Sequence, residues 1–263
     1  MFSERLKPIM TAVAQRSAER RKQKSLADLR AELEVDSLRA ENFKHSLRTP
    51  GLAFIAECKR RAPSTGELST EVDLDARIRA YKQGGAAALS ILTEQDFFSG
   101  ELADLRAAPE VDLPRLRKDF VIDEGMVLEA QLGGASAVLL IAACLTPTQL
   151  RELREVARSI GIATLVEVHN EQELEIALQV DSDALGVNSR NLTTFEIDLD
   201  VGLRMLPQIP TDVVRIAESG LNNLKDLRRA MDAGADAALV GTALMRSDDP
   251  SALLLSWKEA LNV

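Results

Sequence analysis

The sequence predicts the α/β class, as a (β/α)8 barrel with a helical N-terminal extension, on three observations. Strand and amphipathic-helix patterns alternate through the chain, a Gly/Ala-rich segment recurs at a fixed interval, and apolar runs between the copies end in charged residues. Length agrees with this reading, because 263 residues suit one barrel domain.

Residues 1–48 read as a helical extension and 49–263 as the barrel. Leu6, Ile9, Met10 and Val13 follow helical spacing, and the run Arg20-Arg21-Lys22-Gln23-Lys24 beyond them reads as a solvated helix face. Thr49-Pro50-Gly51 then punctuates the chain. Strands are expected near 53–58, 87–91, 114–117, 137–141, 163–168, 184–187, 213–217 and 237–240. Helices are expected over 73–83, 101–107, 125–132, 147–159, 171–178, 200–206, 223–232 and 250–261.

The repeat separates a closed barrel from an open doubly wound sheet. Gly84-Gly85-Ala86-Ala87-Ala88-Leu89 returns as Gly133-Gly134-Ala135-Ser136-Ala137-Val138. It returns again, degraded, as Asp181-Ser182-Asp183-Ala184-Leu185, and finally as Gly234-Ala235-Asp236-Ala237-Ala238-Leu239. In each copy a helix stops and a buried strand starts directly. Repetition by pairs of units matches the alternate-strand layering of a TIM-type barrel, and an open sheet has no reason to repeat in this way. The copies are therefore the even strands. The odd strands are the runs ending at Glu57-Cys58-Lys59, Arg117-Lys118, Val166-Glu167 and Ala217-Glu218. Isolated buried charges are costly, so these endings should converge on the C-terminal rim, where barrel enzymes place their chemistry.

Composition narrows the ligands. One Trp and one Tyr leave no surface for stacking bases, and a net charge of −9 argues against nucleic acid and anionic membranes. A local lysine cluster still allows an anionic small-molecule substrate. Cys58 and Cys144 form no CxxC, which fits a reducing, cytoplasmic setting. Glu4, Arg5 and Lys7 precede any apolar run, so no signal peptide is expected, and no stretch approaches the length of a membrane helix.

Strand alternation sends Glu57 and Lys59 to one side and Cys58 to the other, so an ion pair at the barrel mouth is expected. The Pro63-Ser64-Thr65-Gly66 continuation reads as a mobile loop beside it. Arg117 and Lys118 should point opposite ways, with Phe120 an apolar wall. A strand-end lysine near other positive charge is expected to lose proton affinity and serve as a general acid. Glu167 follows a purely apolar run, so its pKa is expected to rise. His169 and His45 lack partners at metal-ligand spacing, so no metal is expected, and no GxSxG is present. Asn188 can bind a hydroxyl and Arg190 an anion. The small residues after strands 7 and 8, Ser219-Gly220 and Gly241-Thr242, suit phosphate held by backbone N–H groups.

In order, Ile55-Ala56-Glu57-Cys58-Lys59, Leu92-Thr93-Glu94 with Phe97-Phe98-Ser99-Gly100, Leu116-Arg117-Lys118-Asp119-Phe120, Leu165-Val166-Glu167-Val168-His169, Asn188-Ser189-Arg190-Asn191-Leu192 and Ala217-Glu218-Ser219-Gly220 resemble the indole-3-glycerol phosphate synthases of tryptophan biosynthesis. The resemblance runs from about residue 43 onward. It implies ring closure of 1-(2-carboxyphenylamino)-1-deoxyribulose 5-phosphate with loss of carbon dioxide and water, and no cofactor. Lys118 would protonate the ketone oxygen. Lys59 and Glu167 would assist dehydration, with Glu57 a base or orienter, and the division among these four stays open. Asn188 and Glu218 would bind hydroxyls and hold the lysines. Phe120 and Leu139 would line the anthranilate pocket, Arg190 its carboxylate region, and Gly220, Gly241 and Thr242, with Ser219 nearby, the phosphate. The resemblance also implies an extension lying against the barrel mouth.

Two positions depart from the family's pattern. Ala62 stands for the first serine of Ser-Pro-Ser, and Glu124-Gly125 for an aromatic–polar pair, which should alter helix packing more than chemistry. A monomer and an association with other tryptophan-pathway enzymes both remain open. Two other readings stand beside the synthase: another phosphate-binding barrel such as a ribose-phosphate isomerase, and an inactive barrel serving as a partner subunit. The latter predicts loss of the strand-end charges, and all are present.

Overall fold

Seven aliphatic-rich runs and one basic run, Arg115–Lys118, form the strands β1 (Ala53–Cys58), β2 (Ala88–Leu92), β3 (Arg115–Lys118), β4 (Ala137–Ile141), β5 (Ala163–Val168), β6 (Ala184–Asn188), β7 (Val214–Glu218) and β8 (Ala237–Val240). In the computed structural model, which describes residues 4, 6–33, 38–62, 66–67 and 73–263, they pair in parallel and in sequence order, and β8 returns to β1 to close the barrel. Most strand residues are buried on both faces, as a parallel sheet wrapped in helices requires. The expected mobile loop, and with it the effect of Ala62, falls largely on residues whose side chains lie outside this description.

Three helices precede the barrel: α1 (Leu6–Gln23), α2 (Leu26–Glu32) and α3 (Leu38–Leu47). Those around it are α4 (Leu74–Gln83), α5 (Glu124–Leu132), α6 (Pro147–Ser159), α7 (Glu171–Ala177), α8 (Leu199–Met205), α9 (Leu224–Asp232), α10 (Thr242–Arg246) and α11 (Pro250–Leu261). The helix expected over 101–107 is a short 3₁₀ turn, Leu102–Arg106. The left-handed Ala108 and the following Pro109 stop it before an α-helix can develop.

The repeat is a helix-termination device. After α4, α5 and α9 the chain turns through a glycine in the left-handed region, Gly85, Gly134 and Gly234. The next amide then bonds back into the helix, as in Ala86 N–H to Tyr81 O, Ala135 N–H to Ala130 O and Ala235 N–H to Ala230 O. This is the Schellman closure, which satisfies terminal carbonyls and aims the chain at the next strand. In the degraded copy Asp181 takes the left-handed conformation.

The extension reaches both ends of the barrel. Leu6 and Ile9 of α1 face the C-terminal mouth. In α3, Phe43 and Leu47 are fully buried, and Ala40 N–H bonds to Gly161 O just before β5 begins, so this helix closes the opposite end. The basic run is not the solvated face its composition suggests. Arg20 and Arg21 both pair with the buried Glu129 of α5, and Ser17 bonds to Asp123. The departing pair at 124–125 meets this extension. Glu124 pairs with Arg30 at 2.8 Å, and a Cβ at Gly125 would lie 2.5 Å from Arg21 Nε.

Candidate active site

The odd strands deliver their charged ends to one cavity of about 410 Å³ at the C-terminal mouth. Every residue given a catalytic or substrate-binding role from sequence lines it: Glu57, Lys59, Lys118, Phe120, Leu139, Glu167, Asn188, Arg190, Glu218, Ser219, Gly220, Gly241 and Thr242. Alternation separates neighbours as expected. Glu57 and Lys59 face the cavity and pair at 2.5 Å, whereas Cys58 is buried behind them. Lys118 faces the cavity, and Arg117 turns outward to Thr93, Asp119 and the carbonyl of Met126.

Lys118 Nζ donates to Glu167 Oε2 at 2.9 Å and lies 3.6 Å from Glu218 Oε2. Burial would lower its proton affinity, but Glu167, Glu218 and Glu57 outweigh that and raise it. The expected loss of proton affinity is therefore corrected: the nearest charges are carboxylates, not cations. Glu167 is corrected in the same way. Burial pushes it up, but Lys118 and His169 hold it well below the usual carboxylate range. The raised carboxyl is instead Glu218, which is buried, faces the charge of Glu167 and has only the longer contact to Lys118. Among the described residues no donor makes a hydrogen bond to either Glu218 oxygen. Of this pair, Glu167 is held toward the anion and Glu218 is pushed toward the protonated form. Glu57 lies below its ordinary value, because Lys59 and Lys118 outweigh its burial.

Two glycines make room for these groups. A Cβ at Gly186 would lie 2.1 Å from Glu218 Oε1, and one at Gly241 would lie 2.1 Å from Glu57 Oε1. Asn188 accepts the Arg190 backbone N–H, which leaves its amide NH₂ as a donor, and Arg190 is steadied by the carbonyl of Phe195. Ser219 and Gly220 both have positive φ, 63° and 78°, the backbone geometry that turns successive N–H groups toward an anion.

Sequence reasoning missed several contributors. Glu94 is buried and accepts the N–H groups of Asp96, Phe97 and Phe98 while pairing with Arg16 of α1. That turn places Phe98 beside Phe120, ring centroids 6.4 Å apart, as one apolar wall. The ordered motif Thr93-Glu94 with Phe97-Phe98 was its only signal. Leu6, Ile9 and Arg246 also line the cavity, and helical spacing alone could not say which core Leu6 and Ile9 joined.

Fold and site together define a (β/α)8-barrel enzyme whose mouth gathers two lysines and three carboxyls at the strand ends. The family model for indole-3-glycerol phosphate synthase matches residues 6–255. The chain belongs to that family, carbon–carbon lyases of tryptophan biosynthesis. A relative of that name from a Nocardioides species is 47% identical over 93% of this chain and 94% of its own length. One from Koribacter versatilis is 42% identical over 84% and 88%. A solved tryptophan synthase subunit alpha from Legionella pneumophila shares the fold alone, with a TM-score of 0.63 at 14% identity over 84% of this chain and 98% of that one.

Proposed function

We propose that this cavity converts 1-(2-carboxyphenylamino)-1-deoxyribulose 5-phosphate to indole-3-glycerol phosphate, with the residues in the following roles. The observation that carries the assignment is the Lys118 ammonium between Glu167 and Glu218, in a cavity that Phe98 and Phe120 also line. The substrate's anthranilate ring lies against Phe98, Phe120 and Leu139, and its carboxylate end toward Arg190. The phosphate sits on Gly220, Gly241 and Thr242 beside Ser219, with Arg246 at the same rim.

The ring carbon bearing the carboxylate attacks the ketone carbon, and Lys118 donates its proton to the oxygen as negative charge develops there. Loss of carbon dioxide returns the electron pair to the ring. The new hydroxyl then leaves as water, taking a proton from Lys59, while Glu57 removes a proton from the adjacent methylene. Each turnover consumes one proton and releases carbon dioxide and water. Glu167 orients Lys118, and the protonated Glu218 and the Asn188 amide bind substrate hydroxyls.

Helix α1 roofs the barrel mouth, with Leu6 and Ile9 excluding water above the ring. No described helix is long and apolar enough to cross a membrane, and two buried free thiols suit a reducing cytoplasm. The test is incubation of purified protein with this substrate while indole fluorescence and carbon dioxide are followed. Both should appear in equal amounts, and folded protein that yields neither refutes the assignment.

A further inference from the structure

His169 is the first residue beyond β5, and its side chain is turned inward, about 6% exposed. The start of α7 does not need it. Asn170 caps that helix by accepting the Glu173 N–H, and its own amide donates to Glu173 Oε1. The imidazole nevertheless stands between two carboxylates. Nδ1 hydrogen-bonds to Glu173 Oε2 at 3.0 Å, which also accepts the His169 backbone N–H at 2.8 Å, and Nε2 lies 3.2 Å from Glu167 Oε1, an ion-pair contact that is not aligned as a hydrogen bond. Glu167 thus meets His169 with one oxygen and Lys118 with the other. A continuous line, Glu173–His169–Glu167–Lys118, runs from the first turn of α7 to the cavity.

A carboxylate free to rotate would carry Lys118 with it. A cation against one oxygen and the Lys118 ammonium on the other narrow the positions the pair can take, and small displacements of a reacting group are expensive in rate. An imidazole oriented at one nitrogen so that the other faces a functional group is a recurring use of histidine. We propose that His169 is a positioning residue of the cyclisation site: clamped by Glu173, it locks the Glu167 carboxylate so that Lys118 stays aimed at the substrate's ketone oxygen. This rests on the function proposed above.

The lock needs both imidazole protons, since each nitrogen faces a carboxylate. Burial would lower the His169 pKa, but Glu167 and Glu173 reverse this and push it up to about 9. The groups facing it are Glu167 from β5, Glu173 from α7 and, through Glu167, Lys118 from β3 and Glu218 from β7. Cys144, at the end of β4's following turn, is pushed up to about 12 by burial and by the same two glutamates, so it stays neutral.

The experiment compares kcat and KM of the full chain, His169→Gln and Glu173→Gln across pH. His169→Gln keeps one donor but no charge. It should lower kcat about tenfold near pH 7 with KM changed less than about twofold. The deficit should shrink to about twofold near pH 10, where the wild-type imidazole has lost its second proton. Glu173→Gln keeps an acceptor for Nδ1 but removes its charge, so its alkaline fall in kcat should begin about one pH unit below the wild type's. A His169→Gln deficit that stays constant across pH, or none at all, together with a wild-type alkaline limb in Glu173→Gln, overturns the proposal. Wild-type turnover in the same series keeps that outcome distinct from a failure of the function itself.

Discussion

Lys118 and Glu167 meet across 2.9 Å although β4 stands between their strands. The contact is possible because both side chains leave the strand ends toward the barrel axis, where the odd strands converge above the core. It brings an ammonium and a carboxylate into a pocket that excludes most water. Glu218, the third member, is the carboxyl pushed toward the protonated form.

That asymmetry predicts different fates for two similar substitutions. Glu167→Gln removes the anion that compensates two buried cations, Lys118 and His169, and should cost about 3–5 kcal/mol of stability. Glu218→Gln replaces a carboxyl already pushed toward its neutral form with a neutral amide and should cost about 1 kcal/mol. Urea denaturation of both variants checks this, and equal losses would contradict the charge assignment.

Gly186→Ala should act on Glu218 at a distance from the substrate. The added methyl would stand 2.1 Å from Oε1 inside β6. Overpacking of this kind costs about 1–3 kcal/mol, and a displaced Glu218 and Lys118 should lower kcat by about 100-fold. Thermal melting and steady-state kinetics on the same preparation measure both effects.

The helical extension and the site are linked through β3. Arg117 is buried beneath Lys118, bonding to Thr93, Asp119 and Met126 O, and lies 3.6 Å from the Glu129 that Arg20 and Arg21 hold. Arg117→Ala strands Asp119 and Glu129 without this cation and should cost about 3–5 kcal/mol. Hydrogen exchange should show α1 loosening along with β3; protection unchanged in α1 would argue that the two are independent.

Much of this arrangement is written in local chemistry. The glycine-bearing copies specify where three helices stop, because glycine adopts the left-handed turn without strain, and this marks the starts of β2, β4 and β8, with Asp181 taking the same conformation before β6. Two-residue alternation then puts Glu57 with Lys59 and separates Arg117 from Lys118. What the chain does not spell out is which charges meet across strands. An apolar run before Glu167 suggests a raised pKa, but Lys118 from β3 and His169 reverse it, and the raised group is Glu218 two strands away. The basic run 20–24 reads as solvated for the same reason, since its partner Glu129 lies about a hundred positions later.

Stability should also respond to alkaline pH. The folded-state pKa of His169 is raised above the ordinary value to about 9. Its contribution is fully present below about pH 6.5 and is lost as pH rises through about 9. The difference in unfolding free energy between wild type and His169→Gln should therefore shrink between about pH 7 and pH 10. A difference that grows over this window has the wrong sign for a histidine held between two carboxylates.

The most direct test of the central claim is turnover by Lys118→Met at saturating substrate, with binding measured separately. The account predicts wild-type protein releasing indole product and carbon dioxide one for one, and a variant that binds substrate within a few-fold of wild type yet turns over about 1,000-fold more slowly or worse. A folded Lys118→Met variant with a rate near that of wild type would contradict it.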